Sequence, residues 1–238
     1  MKLPLKASTY LATKQLSTAN EVQEKYRRNG KAVDKEVRDV LIKRMHEGID
    51  LTEEQEKSFK GLDDIFGGDE GWKDLESPVT GVEMQLKVTQ QKRGKRSIGI
   101  GRGRGLADCT AEEACAWYFE YCTNERMAID KEEGNPARLE IRKREKIANE
   151  KYFATIKTLP FPLHQREFLF RAILRKDEEG FSVAILNYDE NIDYGGGIGK
   201  FVRGTSFGIF SAKNITSEGA VNRCELNHKV RAYSDRPQ

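Results

Sequence analysis

The sequence has few of the residues that carry metal or nucleophilic chemistry. It contains four cysteines and three histidines in 238 residues. Cys109, Cys115 and Cys122 lack the Cys-x-x-Cys spacing of zinc ligands, and Cys224 lies far from them. Each histidine stands apart from a carboxylate partner, and no Ser-His-Asp or Cys-His arrangement is recognisable. We therefore expect a protein that is not an enzyme and uses no metal or cofactor, with Cys115 and Cys122 as small buried apolar residues.

The sequence also lacks long apolar runs and a strong excess of either charge. No run approaches the ~20 apolar residues of a membrane span, and residues 1–6 lack the apolar core of a secretion signal. These absences predict a cytoplasmic protein. The formal net charge is +3, from 41 Lys and Arg residues against 38 Asp and Glu residues. This excess is too small to predict a nucleic-acid partner.

The composition indicates one globular domain with a polar extension. The hydrophobic fraction of 37% is low and the charged fraction of 33% is high. We expect residues 1–50 to form the extension and residues 51–238 to form the domain. Within the extension, an apolar stripe at helical spacing predicts an amphipathic helix that needs a partner surface. The members of this stripe are Val33, Val37, Val40, Leu41 and Met45.

Two capping boxes predict two further helices. Thr52-Glu53-Glu54-Gln55 begins a helix that should end near Phe66, where Gly67-Gly68 follows. Thr110-Ala111-Glu112-Glu113 begins the second helix. A broad apolar stripe supports this second helix, and its members are Ala111, Ala114, Cys115, Tyr118, Phe119 and Cys122.

Between the two capping boxes the sequence predicts a β-hairpin with a glycine-rich second strand. Residues 82–88 alternate between apolar and polar, a turn follows at residues 92–95, and Ile98 and Ile100 continue on the return strand. The glycines of residues 99–105 do not fit the dinucleotide fingerprint Gly-x-Gly-x-x-Gly, because Arg104 occupies the place of the third glycine. We therefore expect a glycine-bearing strand that bends or bulges.

The turn of this hairpin is basic and is a candidate contact for an anionic surface. Its charged residues are Lys92, Arg93, Lys95 and Arg96. No aromatic residues interleave with these charges, as they would in a site for single-stranded nucleic acid. An anionic membrane surface is therefore the favoured partner of the turn, ahead of nucleic acid.

A proline-stiffened turn followed by a strand is the most informative feature of the sequence. Pro160 and Pro162 fix the backbone and exclude a helix, and residues 166–175 follow with the alternation of a strand. One face of this strand is wholly apolar and carries Phe168, Phe170, Ala172 and Leu174. Further strands are expected at residues 152–157, 181–188, 200–212 and 220–232, separated by turn-type breaks. Residues 138–150 are ambiguous, because their first part alternates like a strand while residues 142–146 also suit a helix, and we favour the strand.

Several of these segments resemble the START domain family, the steroidogenic-acute-regulatory-protein-related lipid transfer family of the helix-grip superfamily. The resemblance covers about residues 55–235. Its most specific part is Leu159-Pro160-Phe161-Pro162-Leu163-x-x-Arg166-Glu167-Phe168, which is similar to the family's proline-rich turn into Arg-Asp-Phe. Trp72, the capped helix at Thr110, and Phe201-Val202-Arg203-Gly204 add support.

The resemblance implies an α+β fold in which a curved antiparallel sheet wraps a hydrophobic cavity. It also implies that the protein binds a single lipid, of the sterol or phospholipid class, without changing it chemically, in order to transfer or sense it. Alternation along the strands offers four candidate lining residues, although the same residues could simply pack the core. These candidates are Phe168, Phe170, Val183 and Ile185.

Two charged residues match polar positions of the family. Asp189 matches an acidic position after the central strand, and Arg203 matches a position that can pair with it inside the tunnel. Two buried opposite charges need each other, since an unpaired buried charge is costly. We therefore expect the pair to contact the lipid, and Arg203→Leu to weaken lipid binding more than stability.

The sequence departs from the family pattern at its end. Asp235-Arg236-Pro237-Gln238 stands where the family would continue into its C-terminal helix. Either the sequence is a fragment of a longer protein, or another helix covers the tunnel mouth, and the amphipathic helix at residues 33–45 could serve as that cover. The alternatives to lipid binding are an interaction or membrane-docking module with a filled core, and nucleic-acid binding through the basic hairpin.

Overall fold

In the part of the chain that the structure describes, two pairs of helices, one before the first three strands and one after them, precede a run of seven strands, as expected of an α+β domain. The computed structural model describes residues 30–68, 70–90, 97–135, 137–141, 147–158, 165–189, 201–215 and 222–233. Its helices are α1 (Gly30–Glu47), α2 (Glu53–Phe66), α3 (Ala111–Phe119) and α4 (Asn124–Glu132). Its strands are β1 (Trp72–Leu75), β2 (Val82–Gln90), β3 (Ser97–Ala107), β4 (Ala137–Ile141), β5 (Glu150–Lys157), β6 (Arg166–Lys176), β7 (Gly180–Asn187), β8 (Val202–Arg203), β9 (Thr205–Ile215) and β10 (Arg223–Tyr233).

These strands form one curved sheet. The order is β1-β2-β3-β10-β9-β7-β6-β5-β4, and neighbours in this order are antiparallel. The short strand β8 instead pairs in parallel with the start of β6. β3 and β10 are neighbours although they lie far apart in sequence, so this pairing joins the first three strands to the rest. The predicted fold class, an α+β helix-grip-like curved antiparallel sheet with N-terminal helices, is confirmed.

Both faces of the sheet carry a hydrophobic core. We call the face that carries Phe170 and Val183 the inner face. α3 packs on it over β6, β7, β9 and β10, and α1 lies against α3. α2 packs on the opposite, outer face, where Ile173 and Ile209 are buried. The central strands therefore have apolar side chains on both faces. This explains why Leu169, on the outer face of β6, is as fully buried as Ala172 and Leu174 on its inner face.

The helix starts follow the sequence signals. Both capping boxes form: the Thr52 side chain accepts from the backbone N–H of Gln55, and Thr110 does the same for Glu113. α2 ends at Phe66 before Gly67 and Gly68, as predicted. None of the helices in the described part of the chain has both the length and the apolar character needed to cross a membrane.

The glycine-rich strand is regular, which corrects the expectation of a bend or bulge. β3 keeps an unbroken register with β2 and with β10. Gly99, Gly101, Gly103 and Gly105 are absent from the described glycines with positive φ. These glycines are therefore not required by the backbone, and they differ from ordinary strand residues only in lacking side chains.

α1 has a different buried face from the one that its apolar stripe predicts. Leu41 and Met45 are buried in the inner-face core, whereas Val37 and Val40 are 39% and 50% exposed. Among the residues of α1 whose burial is described, Asp34 is also buried, and its carboxylate contacts α4. The helix thus has the partner surface that its pattern requires. A boundary between an extension and a domain at residue 50 stays a prediction.

α4 was not predicted from the sequence, because its start signal lies in another helix. Thr123 occupies its N-cap position but makes no side-chain capping bond. The Asp34 carboxylate of α1 instead accepts hydrogen bonds from the backbone N–H groups of Asn124 and Glu125 at 3.2 and 3.0 Å, and from the Asn124 side chain at 3.1 Å. A carboxylate also suits the positive end of the helix dipole. Asp34 therefore caps α4 from outside it.

We expect Asp34→Ala to lower the free energy of unfolding by about 1–2 kcal/mol, because it leaves the partly buried backbone donors at the start of α4 without their acceptor. Urea unfolding of the full chain measures this loss. Glu36→Ala is the matched control, since Glu36 is an exposed carboxylate on the same helix and should change stability little. Equal losses in the two variants would show that the cap contributes nothing to stability.

Candidate functional site

The candidate site lies on the inner face, where the sheet is only partly covered. Residues paired across antiparallel strands carry their side chains on the same face, so the register defines a row across the whole sheet. This row is Leu75, Met84, Gly103, His228, Phe210, Val183 and Leu174. Val183 is 0% exposed beneath α3, whereas Leu75 at the other end is 44% exposed. Apart from His228, the row consists of apolar residues and glycine. Its residues on β9, β7 and β6 are buried, whereas those on β1, β2, β3 and β10 are at least partly exposed.

The uncovered half has a glycine floor between apolar walls. β3 places Gly101 and Gly103 on the inner face, and the walls come from β2 and β10. A Cβ atom added to Gly101 would find its nearest neighbour, Val230 Cγ1, at 3.7 Å. At Gly103 the nearest atom, the Glu83 carbonyl oxygen, would lie at 3.9 Å. We call this surface the β3 groove; it is lined by Met84, Leu86, Gly101, Gly103, Leu226 and Val230, which are all half-buried.

The predicted lining residues lie together on the inner face. Phe168 and Phe170 are stacked with ring centroids 5.7 Å apart, and Val183 and Ile185 stand on the neighbouring strand β7. Phe170, Val183 and Ile185 belong to the buried core beneath the helices, and Phe168 packs at its margin. The structure therefore brings these residues together, while contact with a lipid stays a prediction for each of them.

A polar cluster that the sequence did not reveal lies at the border between the two halves. The Tyr118 hydroxyl of α3 is 3.0 Å from His228 Nε2 of β10, and the Tyr118 ring stacks on Phe210 with centroids 4.3 Å apart. The Arg126 guanidinium lies over the Tyr118 ring, 5.5 Å from its centroid. The only sequence signal is that a histidine interrupts an apolar inward series, between Leu226 and Val230.

His228 is uncharged in this environment. Burial, together with the positive charge of nearby Arg126, lowers the pKa of His228 to about 4. A neutral imidazole has one nitrogen that donates and one that accepts a hydrogen bond. At neutral pH the histidine of this cluster can therefore form a hydrogen bond with a hydroxyl or carbonyl group while it is uncharged.

The predicted pair of Asp189 and Arg203 is wrong, because Arg203 has another partner. Arg203 Nε donates to Glu167 Oε2 at 2.9 Å, and its Nη2 is also 2.9 Å from that oxygen. Glu167 alternates with Phe168 on β6, so the ion pair lies on the face opposite to Phe168. Asp189 is exposed and accepts a hydrogen bond from Asn187. A lipid contact by Asp189 or Arg203 stays a prediction.

The ion pair joins two motifs noted in the sequence, Arg166-Glu167-Phe168 and Phe201-Val202-Arg203-Gly204. β8 pairs in parallel with the start of β6, so that Arg203 stands beside Glu167. The next residue, Gly204, donates its backbone N–H to the Glu167 carbonyl at 2.8 Å. A Cβ atom at Gly204 would lie 2.4 Å from the Phe168 ring. Gly204 is therefore required by close packing, and it fixes the aromatic ring next to the candidate site.

Some predicted residues lie outside the described part of the chain. These are the proline turn at residues 159–164 and the basic turn with Lys92, Arg93, Lys95 and Arg96. A polar surface pocket of about 480 Å³ is also present, between α1, the start of α3 and the ends of β9 and β10. Its lining includes charged residues such as Asp39 and Glu112, so we do not assign the apolar site to it.

Comparison with solved structures identifies the fold. The chain is similar to the human StarD13 lipid transfer and protein localization domain, with a TM-score of 0.52 and 12% identity over 80% of this chain and 87% of that chain. It is also similar to human StAR-related lipid transfer protein 5, with a TM-score of 0.52 and 15% identity over 77% and 83% of the two chains. For human STARD10 the TM-score is 0.51, with 15% identity over 78% and 69%.

These similarities confirm a START-like fold, as the sequence motifs suggested. At such low identity they establish the fold alone. No protein-family model matches the sequence, and no curated protein matches it.

We expect Arg203→Leu to destabilise the fold by about 3 kcal/mol, because it leaves the buried Glu167 carboxylate without its cation. This reverses the expectation drawn from the sequence. The double variant Glu167→Gln/Arg203→Leu should recover part of the loss, and Arg223→Leu, which breaks an exposed pair with Asp108, should cost less than about 1 kcal/mol. Urea unfolding measures the stability of these three variants. Equal stability of Arg203→Leu and Arg223→Leu would contradict a structural role for the buried pair.

Because of His228, we expect the free energy of unfolding to fall as the pH drops from about 6.5 toward about 4. The first value is the ordinary pKa of histidine, and the second is the pKa of His228 in the folded protein. The folded state resists protonation of the imidazole, so the unfolded chain binds one more proton in this range. The contribution is at most about 1.4 kcal/mol per pH unit. Unfolding measured against pH should be flatter for His228→Gln than for the parent and for His46→Gln, an exposed control. Parallel pH profiles for all three proteins would contradict the burial of a neutral His228.

Proposed function

We propose that the protein binds a single lipid molecule, of the sterol or phospholipid class, along the β3 groove of the inner face. The observation that carries this proposal is the row of inner-face residues that passes from full burial under α3 to half-exposure over the glycine floor. A continuous apolar surface that is left uncovered is characteristic of a binding site. The START-like fold adds support, because the similar solved structures include proteins described as lipid transfer proteins.

The driving force for such binding is the burial of apolar surface. Covering the groove with an acyl chain or a sterol ring system removes both surfaces from water, at roughly 25 cal/mol per Å² of apolar area. The absence of side chains at Gly101 and Gly103 leaves room for this partner between Met84 and Val230. The lipid thus supplies the packing atoms that β3 lacks.

The groove and the covered core have different parts in this proposal. Phe170, Val183 and Ile185 belong to the core beneath the helices, and Phe168 lies at its margin. The ligand lies on the β2, β3 and β10 side and reaches the covered half only at its margin, near Phe210 and His228.

The Tyr118–His228 cluster is the polar anchor of the proposed site. It lies in the middle of the row, between Gly103 and the buried aromatic ring of Phe210. A neutral imidazole and a phenol suit a lipid hydroxyl or carbonyl better than a charged headgroup. One such polar contact orients a ligand whose affinity comes mainly from its apolar part.

Helix α1 and the basic residues 92–96 also have proposed roles next to this site. α1 lies against α3 and α4, and we propose that it covers the mouth of the lipid site. The basic turn at residues 92–96 follows β2, so its proposed contact with an anionic membrane would bring the groove close to a source of lipid. The protein acts without chemical change to the ligand, in transfer or in sensing, in the cytoplasm.

Native mass spectrometry of the purified full chain, followed by lipid extraction, tests the proposal. We expect a complex of one lipid with one protein, whose mass identifies the lipid class. The controls are the denatured protein, which should have lost the ligand, and an unrelated protein purified in parallel. A well-folded chain without any lipid, which also fails to take up sterol or phospholipid from vesicles, would contradict lipid binding and favour an interaction module.

We expect Gly103→Trp to reduce lipid occupancy at least about tenfold, because the indole fills the groove where a lipid would lie. Gly103→Ala should keep most binding, since its Cβ fits at ordinary contact distance. Arg104→Trp places the same bulk on the opposite face of the strand and should bind as the parent does. Native mass spectrometry and thermal melting are compared for all variants; unchanged occupancy in a folded Gly103→Trp variant would exclude the β3 groove as the site.

A further inference from the structure

Two cysteine thiols meet where β3 ends and β10 begins. Cys109 Sγ and Cys224 Sγ are 3.8 Å apart, although 115 residues separate them in sequence. Cys224 is the second residue of β10 and is 0% exposed. Cys109 is partly exposed and lies in the short connection between β3 and α3. The fold therefore brings one buried and one accessible thiol into direct contact.

The sheet register explains why these side chains meet. Cys224 is paired with Ala107, the last residue of β3. Cys109 follows Ala107 by two residues and immediately precedes Thr110, the N-cap of α3. In a disulfide the two sulfur atoms lie about 2.05 Å apart. Cys109 lies in the connection between β3 and α3 rather than within the ladder, so it is the residue that would move toward Cys224.

We propose that Cys109 and Cys224 are a modification site that forms a reversible intrachain disulfide when the protein meets a peroxide. Cys109 first loses its proton to solvent, its sulfur attacks a peroxide oxygen, the O–O bond breaks, and the hydroxide that leaves takes up a proton, so that the products are a sulfenic acid and water. The Cys224 sulfur then attacks the sulfenic sulfur, the S–S bond forms, and a second water leaves. In total two thiols lose two electrons and two protons, and one hydrogen peroxide becomes two waters.

The order of these steps follows from exposure. Cys109 is the partly exposed thiol that a peroxide can reach, and Cys224 is buried beside it. Burial raises the pKa of Cys109, and it raises the pKa of Cys224 to about 12. Both thiols are therefore protonated at neutral pH, and the pair stays reduced until an oxidant is present.

The other described cysteines occupy different environments. Cys115 is buried and donates its S–H to the Phe181 carbonyl at 3.3 Å. Cys122 lies beyond the end of α3 and packs at the margin of the inner-face core. These two residues provide matched controls, because they belong to the same protein but not to the 3.8 Å contact.

The cross-link would tie the start of α3 to the last strand. It closes a long loop and so removes freedom from the unfolded chain, which stabilises the folded state. It also fastens the helix that covers the inner face to β10. The inference rests on the contact between the two thiols and does not depend on lipid binding.

The test uses the full chain, reduced and freed of reductant, and treated at pH 8 with hydrogen peroxide near one equivalent. We expect intact mass spectrometry to show the loss of two hydrogen atoms, and digestion without reduction to yield a peptide linked through Cys109 and Cys224. The melting temperature should rise by about 5 °C or more, and dithiothreitol should reverse both changes.

Four single serine variants separate this pair from the other thiols. Cys109→Ser should abolish the cross-link, while Cys115→Ser and Cys122→Ser should keep it. Cys224→Ala accompanies Cys224→Ser, since a buried hydroxyl can impair folding. A cross-link through Cys115 or Cys122, added oxygen on Cys109 without a cross-link, or an unchanged mass in the parent would each overturn the proposal.

Discussion

The pairing of β3 with β10 is the constraint on which the rest of the structure depends. Without it, the hairpin of β2 and β3 and the later strands would be two separate sheets, each with an exposed edge. The ladder runs without interruption from Cys224 opposite Ala107 to Arg231 opposite Ile100. Closing so long a loop costs chain entropy, and the apolar cores on both faces offset this cost. The inner face becomes continuous only through this ladder.

The two faces of this sheet are covered to different extents. On the outer face, α2 buries Phe59, Leu62 and Phe66 against the central strands. On the inner face, α3 and α1 cover the β6 to β9 half and leave the β3 groove half-exposed. The inner-face core therefore lies beneath the helices, and the residues of the β3 groove are less buried than those of that core.

The predictability of each feature follows the sequence distance over which it is determined. Capping boxes and strand alternation are local, so the helix starts at Thr52 and Thr110 and the strand at residues 166–175 were predicted correctly. The Asp34 cap of α4, the pairing of Glu167 with Arg203 and the contact of Tyr118 with His228 join distant segments, and no local pattern indicates them. Family resemblance found the two segments that meet at β8, but it assigned Arg203 the wrong partner.

The glycines of β3 also bear on how the protein folds. Glycine has low strand propensity and loses more backbone freedom on folding than any other residue. A strand with four glycines on one face gains little from its own side chains, and its ladder to β10 must wait for the chain between them to be arranged. The glycine floor of the groove therefore closes late in folding and opens more readily than the central strands in local unfolding. Hydrogen exchange in β3 would be faster than in β6, whose two faces are both buried.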